Sequence, residues 1–280
     1  MPLSARKSTL CPTCRKLISI DESRCPHCGT STPNARWKNN PLTRGLVSDA
    51  QLVRIIIFVN IGIYLFSLFI SKSVLTAGVD SPGILSPSLR ALATMGATGR
   101  YLIDDLGWWT LVSASYLHAS PLHLVFNMLA LKQIALLITQ LYGVFRFFTI
   151  FTLGGVGGFF ASYLMGVPIT VGASAALCGL IGAALYYGVS RGGKFGQLVY
   201  RQIGGWATGI LIFGFFIPQI NNTAHIGGML AGAVCAALSG YSEKVPEGVT
   251  HRNIASACML ITFLILLWSL YRGLGFWLGF

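Results

Sequence analysis

The amino-acid sequence predicts an all-α polytopic membrane protein that carries a small domain at its N-terminus. Hydrophobic residues make up 54% of the 280 residues, charged residues make up 10%, and the mean hydropathy is +0.67. Soluble domains contain roughly a quarter charged residues. Seven apolar segments of about bilayer length follow a polar start. The composition therefore excludes an ordinary soluble enzyme and a disordered chain.

The first fifty residues are polar and basic, and we expect them to lie in the cytosol because no apolar stretch among them resembles a signal peptide. Four cysteines form two CPxC knuckles, Cys11 with Cys14 and Cys25 with Cys28. This spacing predicts a structural zinc ribbon over residues 1–30, with four thiolates as metal ligands. Two disulfides are the alternative, and they would need an oxidising compartment. The ribbon could be purely structural or could dock a cytosolic partner.

Residues 31–50 are rich in Pro, Asn and Gly and are interpreted as a linker to the membrane domain. The seven predicted membrane segments are Leu52–Ser71, Leu122–Ile138, Phe147–Met165, Ser174–Val189, Ile203–Ile220, Ala224–Leu238 and Ile254–Tyr271.

The basic residues predict the orientation of these segments. With a cytosolic N-terminus, fifteen of the 20 Lys and Arg fall on the inner side and four on the outer side, while Lys132 lies within the second segment. This bias follows the positive-inside rule. It attributes the net charge of +12 to topology and to attraction toward anionic lipid rather than to nucleic-acid binding. A long outer loop, residues 73–117, carries Trp108 and Trp109, which suit an interfacial belt.

Acidic residues are absent from the centre of the chain. Between Asp105 and Glu243 there is no carboxylate. The gap excludes a paired-aspartate protease, a zinc protease that needs a Glu beside its histidines, and a Ser-His-Asp triad. It also disfavours a proton-coupled transporter, which usually places carboxylates near the middle of the membrane.

The polar side chains that remain lie at one predicted depth. His123 and Asn127 share a helix face at the outer end of the second segment, Ser174 opens the fourth, and His225 opens the sixth. Polar and ionisable groups within a membrane are costly and mark a site by default. The three helices therefore bring a hydroxyl, imidazoles and an amide to the outer third of the membrane.

Rows of small residues predict close packing between the fourth and sixth segments. Ser174, Cys178 and Gly182 form one row, Gly179 belongs to the neighbouring row, and Gly228 with Gly232 forms GxxxG.

A Ser-His dyad suffices for peptide hydrolysis, because the imidazole can deprotonate the attacking hydroxyl and later protonate the leaving amine. Free N–H groups at the helix start, and side chains of His123 and Asn127, could stabilise an oxyanion.

Three motifs together resemble the rhomboid family of intramembrane serine proteases. They are HxxxN at His123–Asn127, GxSx at Gly172–Ala175 and AHxGGxxxG at Ala224–Gly232. The resemblance covers about residues 50–242 and implies Ser174 as nucleophile, His225 as general base, and an oxyanion hole with His123 and Asn127. It implies a six-helix bundle around a cavity open to the outside, with no catalytic cofactor and with transmembrane proteins as substrates. The fifth segment and residues 218–223 resemble the family's lateral substrate gate.

The resemblance divides the chain into a zinc ribbon (1–30), a linker (31–50), a six-helix membrane domain (51–242), and a loop with a seventh helix (243–280). Two residues depart from the family pattern: Ala175 stands where Gly is usual, and Cys178 stands where an aromatic residue usually packs on the imidazole. They motivate an alternative function, a catalytically silent rhomboid-like protein that binds membrane clients.

Overall fold

A computed structural model describes residues 8–11, 16–31, 33, 49–71, 83–217 and 219–279, and it confirms the all-α prediction for the membrane domain. The described helices are α1 Asp49–Ile70, α2 Leu89–Thr94, α3 Arg100–Leu106, α4 Thr110–Ser113, α5 Pro121–Tyr142, α6 Val144–Leu164, α7 Ser174–Arg191, α8 Gly193–Phe216, α9 Asn222–Ser239 and α10 Val249–Leu278. A 3₁₀ turn, Ala114–Tyr116, follows α4. Before α1, strands β1 (Ser8–Leu10) and β2 (Leu17–Ser19) pair antiparallel.

Each of the seven apolar segments is mainly helical, but several helices are longer than their apolar cores, and α8 ends at Phe216 rather than at the predicted Ile220. The fifth segment was expected to start at Ile203, whereas α8 begins at Gly193. Gly192, with φ +64°, ends α7 and directly precedes α8. The polar turns of α8 around Lys194 and Arg201 are helical as well. Hydropathy locates the apolar centre of a helix and not its polar ends.

Four of the described helices combine the length and the apolar composition that crossing a membrane requires: Gln51–Ile70, Pro121–Tyr142, Val144–Leu164 and Val249–Leu278. The shorter α7 and α9 are rich in Gly, Ala and Ser, and α8 carries basic residues. Most of α7 is buried among other helices, so it does not need a lipid-facing apolar surface. The chain is an integral membrane protein whose central helix is less apolar than the helices around it.

The centre of the bundle is α7, which packs against α9, α6, α8 and α5. The terminal helix α10 lies outside this group and packs on α6, α1, α2 and α4. Its Ser269 hydroxyl hydrogen-bonds to the Met95 carbonyl after α2. The long segment between α1 and α5 is thus partly folded: it contains α2, α3 and α4, and it buries Met95 and Leu111.

At the opposite end of the bundle, Arg146 ties three elements together. Its side chain is 1% exposed and lies at the start of α6. The guanidinium donates hydrogen bonds to the carbonyls of Tyr142, Ser239, Gly240 and Val245 and to the Ser242 hydroxyl, and it lies 3.9 Å from the Glu247 carboxylate. The α5–α6 junction is therefore fixed to the loop between α9 and α10.

Candidate active site

Ser174 is the first residue of α7, and its side chain is half-buried. The preceding Ala173 occupies the capping position but has no side-chain oxygen to bond the helix. By contrast, α5 is capped by Ser120, whose hydroxyl accepts from the His123 N–H, and α9 is capped by Asn221. The backbone N–H groups at the start of α7 therefore lack the side-chain acceptor that the other two helices have.

His123 and Asn127 lie directly against the segment that leads to Ser174. An ideal Cβ on Gly172 would lie 2.5 Å from His123 Nε2 and 3.6 Å from Asn127 Nδ2, and Gly172 has φ +120°. Only glycine fits both this contact and this backbone conformation. Asn127 Nδ2 donates to the His123 carbonyl, 2.9 Å away, which orients the amide. The structure thus brings the HxxxN and GxSx motifs together.

His225 lies in the first turn of α9 and is 4% exposed. Its backbone N–H donates to the Asn221 carbonyl, and the Asn221 side chain donates to the Ser162 hydroxyl, 2.9 Å away. His225 Nδ1 is buried and has no hydrogen-bond partner among the described residues. Among the described residues, His225 forms no hydrogen bond with Ser174. The two catalytic candidates share one end of the bundle without a hydrogen bond between them.

The contact between α7 and α9 sets the relative position of Ser174 and His225. An ideal Cβ on Gly228 would clash with the Ala175 carbonyl oxygen, and one on Gly232 would clash with the Gly179 carbonyl oxygen. These contacts pair the first turn of α7 with the second turn of α9, and they continue one turn further along both helices. His225 lies one turn before Gly228, which brings it near the segment that leads into α7. Gly179 also meets α6, since its ideal Cβ would lie 2.7 Å from the Gly154 Cα.

Ala175, one departure from the family pattern, is accommodated by a glycine that the sequence reasoning missed. Ala175 is fully buried, and its methyl carbon lies 3.0 Å from the ideal Cβ position of Gly158 on α6. Gly158 therefore leaves the space that the Ala175 methyl group occupies. The run of four glycines among residues 154–158 was the available signal for a close helix approach.

Cys178, the other departure, is 1% exposed and packs on α9 near Gly228. No aromatic ring pairs with the His225 ring among the described residues. A ring that does approach the site is His118, which lies 5.1 Å from the His123 ring in an edge-on arrangement. His118 is fully buried and both of its ring nitrogens lack a hydrogen-bond partner within the described residues.

The C-terminal half of α8 is loosely packed. The buried residues of this helix all lie between Gly196 and Ala207, while Phe213, Phe215 and Phe216 are 65%, 86% and 78% exposed. Asn222 of α9 connects to this half by donating to the Leu211 carbonyl, 3.0 Å away. Pro218, part of the segment that resembles the gate, lies outside the described residues.

Three of the four predicted metal ligands form a cluster. The thiols of Cys11, Cys25 and Cys28 all lie within 4.8 Å of one another, and the Sγ atoms of Cys11 and Cys28 are 3.6 Å apart. A tetrahedral zinc with bonds of about 2.3 Å separates its sulfurs by about 3.8 Å. These cysteines form no disulfide with one another. Cys14, the fourth predicted ligand, lies outside the described residues.

Comparisons with known proteins agree with the motifs. Residues 105–242 match the family model described as Rhomboid domain. The chain is 34% identical over 193 residues to Rhomboid protease GluP of Bacillus subtilis, which aligns 68% of this chain with 36% of that protein. It is 34% identical over 157 residues to RHOMBOID-like protein 5 of Arabidopsis thaliana, covering 53% of this chain and 50% of that protein.

A third relative, RHOMBOID-like protein 6, mitochondrial, of Arabidopsis thaliana, is 29% identical over 201 residues, 65% of this chain and 63% of that protein. The chain thus spans between about a third and two thirds of the length of these relatives. The matched residues contain both the α7 and the α9 motifs, and the helical architecture agrees with them. The chain belongs to the rhomboid family, a family of intramembrane serine proteases.

Proposed function

We propose that this protein is an intramembrane serine endopeptidase in which Ser174 is the nucleophile and His225 is the general base. The observation that carries the proposal is the junction at Gly172, where the start of α7 lies against His123 and Asn127 while the α7–α9 contact brings His225 to the same end. A hydroxyl, an imidazole, an amide and an uncapped helix start are the groups that peptide hydrolysis requires.

In the proposed reaction, Ser174 Oγ attacks the peptide carbonyl and His225 accepts the hydroxyl proton. The negative charge on the carbonyl oxygen is stabilised by the N–H groups at the start of α7 and by side-chain donors of His123 and Asn127. When the tetrahedral intermediate collapses, His225 gives its proton to the leaving amine. Water, deprotonated by the same imidazole, then hydrolyses the acyl-enzyme and releases Ser174.

The orientation supports cleavage near the outer face of the membrane. Basic residues concentrate at the ends of the helices opposite Ser174 and His225, and the Arg146 junction lies among them. Under the positive-inside rule that end faces the cytosol. Substrates would be transmembrane proteins, because Ser174 and His225 lie at the starts of helices of the membrane domain and the C-terminal half of α8 is largely exposed.

A fluorophosphonate probe applied to the detergent-solubilised chain tests the dyad. We expect labelling of the native protein and no labelling of Ser174→Ala or His225→Ala, because the probe reacts with an activated serine. Cys178→Ala, one turn further along α7, is the matched control and should still be labelled. If the folded native protein resists the probe, the catalytically silent client-binding protein becomes the better assignment. The accommodation of Ala175 by Gly158 favours the enzyme.

We also propose that the N-terminal ribbon holds a structural zinc ion through Cys11, Cys25, Cys28 and Cys14. The three described thiols already have the mutual spacing that a tetrahedral ion imposes. We expect about one zinc per chain by metal analysis and none in Cys25→Ser, since losing one thiolate from so small a core weakens both binding and folding. Protein purified without chelator that contains no zinc would disprove the site. The Ser174 probe reaction should be unaffected by Cys25→Ser.

A further inference from the structure

A positive charge lies at the midpoint of α5. Lys132 is eleven residues from Pro121 and ten from Tyr142, the two ends of the helix. At about 1.5 Å per residue it is roughly 15 Å from either end. Its side chain is exposed on the surface of the bundle. The proposed dyad makes no use of this lysine.

Lys132 has no ion pair or hydrogen bond with any described residue, although its surroundings are apolar. Its exposed neighbours on this helix face include Val125, Leu129 and Leu136, which are 49%, 57% and 66% exposed. A bare ammonium group in hydrocarbon is costly, so an intramembrane lysine usually has a partner. A substitution to leucine would remove that cost, and nothing in the packing of α5 requires a cation.

Two sources of a partner are disfavoured by the chain itself. A lipid phosphate lies at the membrane surface, and roughly 15 Å is much more than a lysine side chain spans. A second copy offers no carboxylate at this depth, because residues 106–242 contain none and α10 contains none either. What remains is a carboxylate on a transmembrane segment of another protein.

We propose that Lys132 docks a transmembrane client segment that carries an Asp or Glu near the middle of the membrane. The apolar residues around Lys132 provide a surface for helix packing, and the exposed Gln133 supplies a further hydrogen-bonding group beside it. A carboxylate and an ammonium that meet in hydrocarbon replace two desolvated charges by one pair. Docking concerns an exposed surface and does not involve the proposed catalytic groups.

If the client is also a substrate, the position of its acid follows from the helix geometry; this step rests on the proposed protease function. Lys132 lies nine residues after His123, which is about 14 Å deeper along α5. A substrate that is helical below its scissile bond would therefore carry the acid about nine residues after the cleaved bond.

Binding of model transmembrane peptides tests the proposal without requiring hydrolysis. The full chain with Ser174→Ala is reconstituted in phosphatidylcholine vesicles, and energy transfer reports binding of Leu/Ala peptides with a central Asp, Leu or Lys. We expect the Asp peptide to bind about tenfold more tightly than the Leu peptide, a difference in binding free energy of about 1.4 kcal/mol. Lys132→Leu should abolish this preference, and Lys132→Glu should transfer it to the Lys peptide. Gln133→Leu is the matched control and should keep it.

Equal binding of the Asp and Leu peptides, or an Asp preference that persists in Lys132→Leu, would overturn the proposal. Loss of the preference on adding phosphatidylglycerol would assign Lys132 to a lipid headgroup instead and would also overturn it. Fluorophosphonate labelling of the native chain separates the two proposals. Labelling without peptide discrimination contradicts docking alone, whereas discrimination without labelling contradicts the protease alone.

Discussion

The two ends of the helical bundle satisfy their polar groups in opposite ways. At the end that carries Arg146, one guanidinium donates hydrogen bonds to four carbonyls and a hydroxyl, and the Tyr142 hydroxyl donates to the Ala183 carbonyl. At the end that carries Ser174, His225 Nδ1 and both nitrogens of His118 have no partner among the described residues. Unpaired buried groups cost stability, and they remain available to a substrate or to water.

This difference indicates that the stabilising hydrogen-bond network and the proposed active site lie at opposite ends of the bundle. The α7–α9 contact lies between the two ends and connects them through backbone atoms. Substitutions at the Arg146 end should therefore lower the free energy of unfolding strongly, whereas substitutions at the Ser174 end should change it little.

The largest expected effect is at Arg146. Arg146→Met should lower the free energy of unfolding by about 3–5 kcal/mol, because it leaves the buried carbonyls without their donor and removes the ion-pair partner of the Glu247 carboxylate. The matched control is Arg191→Met, which removes a half-exposed pair, 2.9 Å from Arg191 Nε to Glu243, and should cost less than about 1 kcal/mol. Denaturant unfolding in detergent measures both. Equal losses would remove the distinction between a buried junction and a surface pair.

An intermediate effect is expected at the α7–α9 contact. Gly232→Ala places a methyl group against the Gly179 carbonyl oxygen and should cost about 1–3 kcal/mol by forcing the helices apart. It should also slow probe labelling of Ser174, since the same contact sets the position of His225. Gly205→Ala on α8 meets no atom within 4 Å and should be neutral or stabilising by up to about 1 kcal/mol. A Gly232→Ala protein with unchanged unfolding and labelling would show that the helices do not depend on this approach.

The smallest expected effect concerns pH and His118. Burial lowers the pKa of His118 well below its usual range, and the nearby His123 lowers it further. Below about pH 6.5 the unfolded chain binds a proton that the folded chain does not, so stability falls as pH falls. His118 should contribute up to about 1.4 kcal/mol of this loss per pH unit, so stability should fall less steeply with pH in His118→Leu than in the native protein. Unfolding free energies at pH 7 and pH 5.5 provide the comparison. Identical pH dependence in the two proteins would mean that His118 is solvated.

Much of the fold could be read from one sequence, because a bilayer imposes a strong constraint on composition. Apolar segments of bilayer length predicted all seven long helices, from α1 to α10. Their ends were less predictable: α8 starts ten residues before its apolar core, since helix formation does not require apolar residues in its first turns. The short helices α2, α3 and α4 between α1 and α5 gave no periodic signal in the sequence.

The residues of the candidate site were predicted from the sequence, and their catalytic roles remain predictions. Motif spacing selected Ser174, His225, His123 and Asn127 because few polar side chains survive in an apolar region. The partners that support them were missed. Asn221 was a readable cap directly before α9, whereas its bond to Ser162 joins residues 59 positions apart. Cys14 and Pro218, which belong to the predicted ribbon and gate, lie outside the described residues.

The sequence by itself determined that this chain is a membrane protein, that its central region has no carboxylate, and that a serine and histidines are the groups available for chemistry. Only the tertiary structure decided that Gly172 lies against His123, that Gly158 makes room for Ala175, and that Arg146 ties α6 to the loop before α10. Composition and spacing are local properties of the chain. Rows of small residues indicate that two helices can approach closely, but which backbone atoms then face each other is decided only when the helices pack.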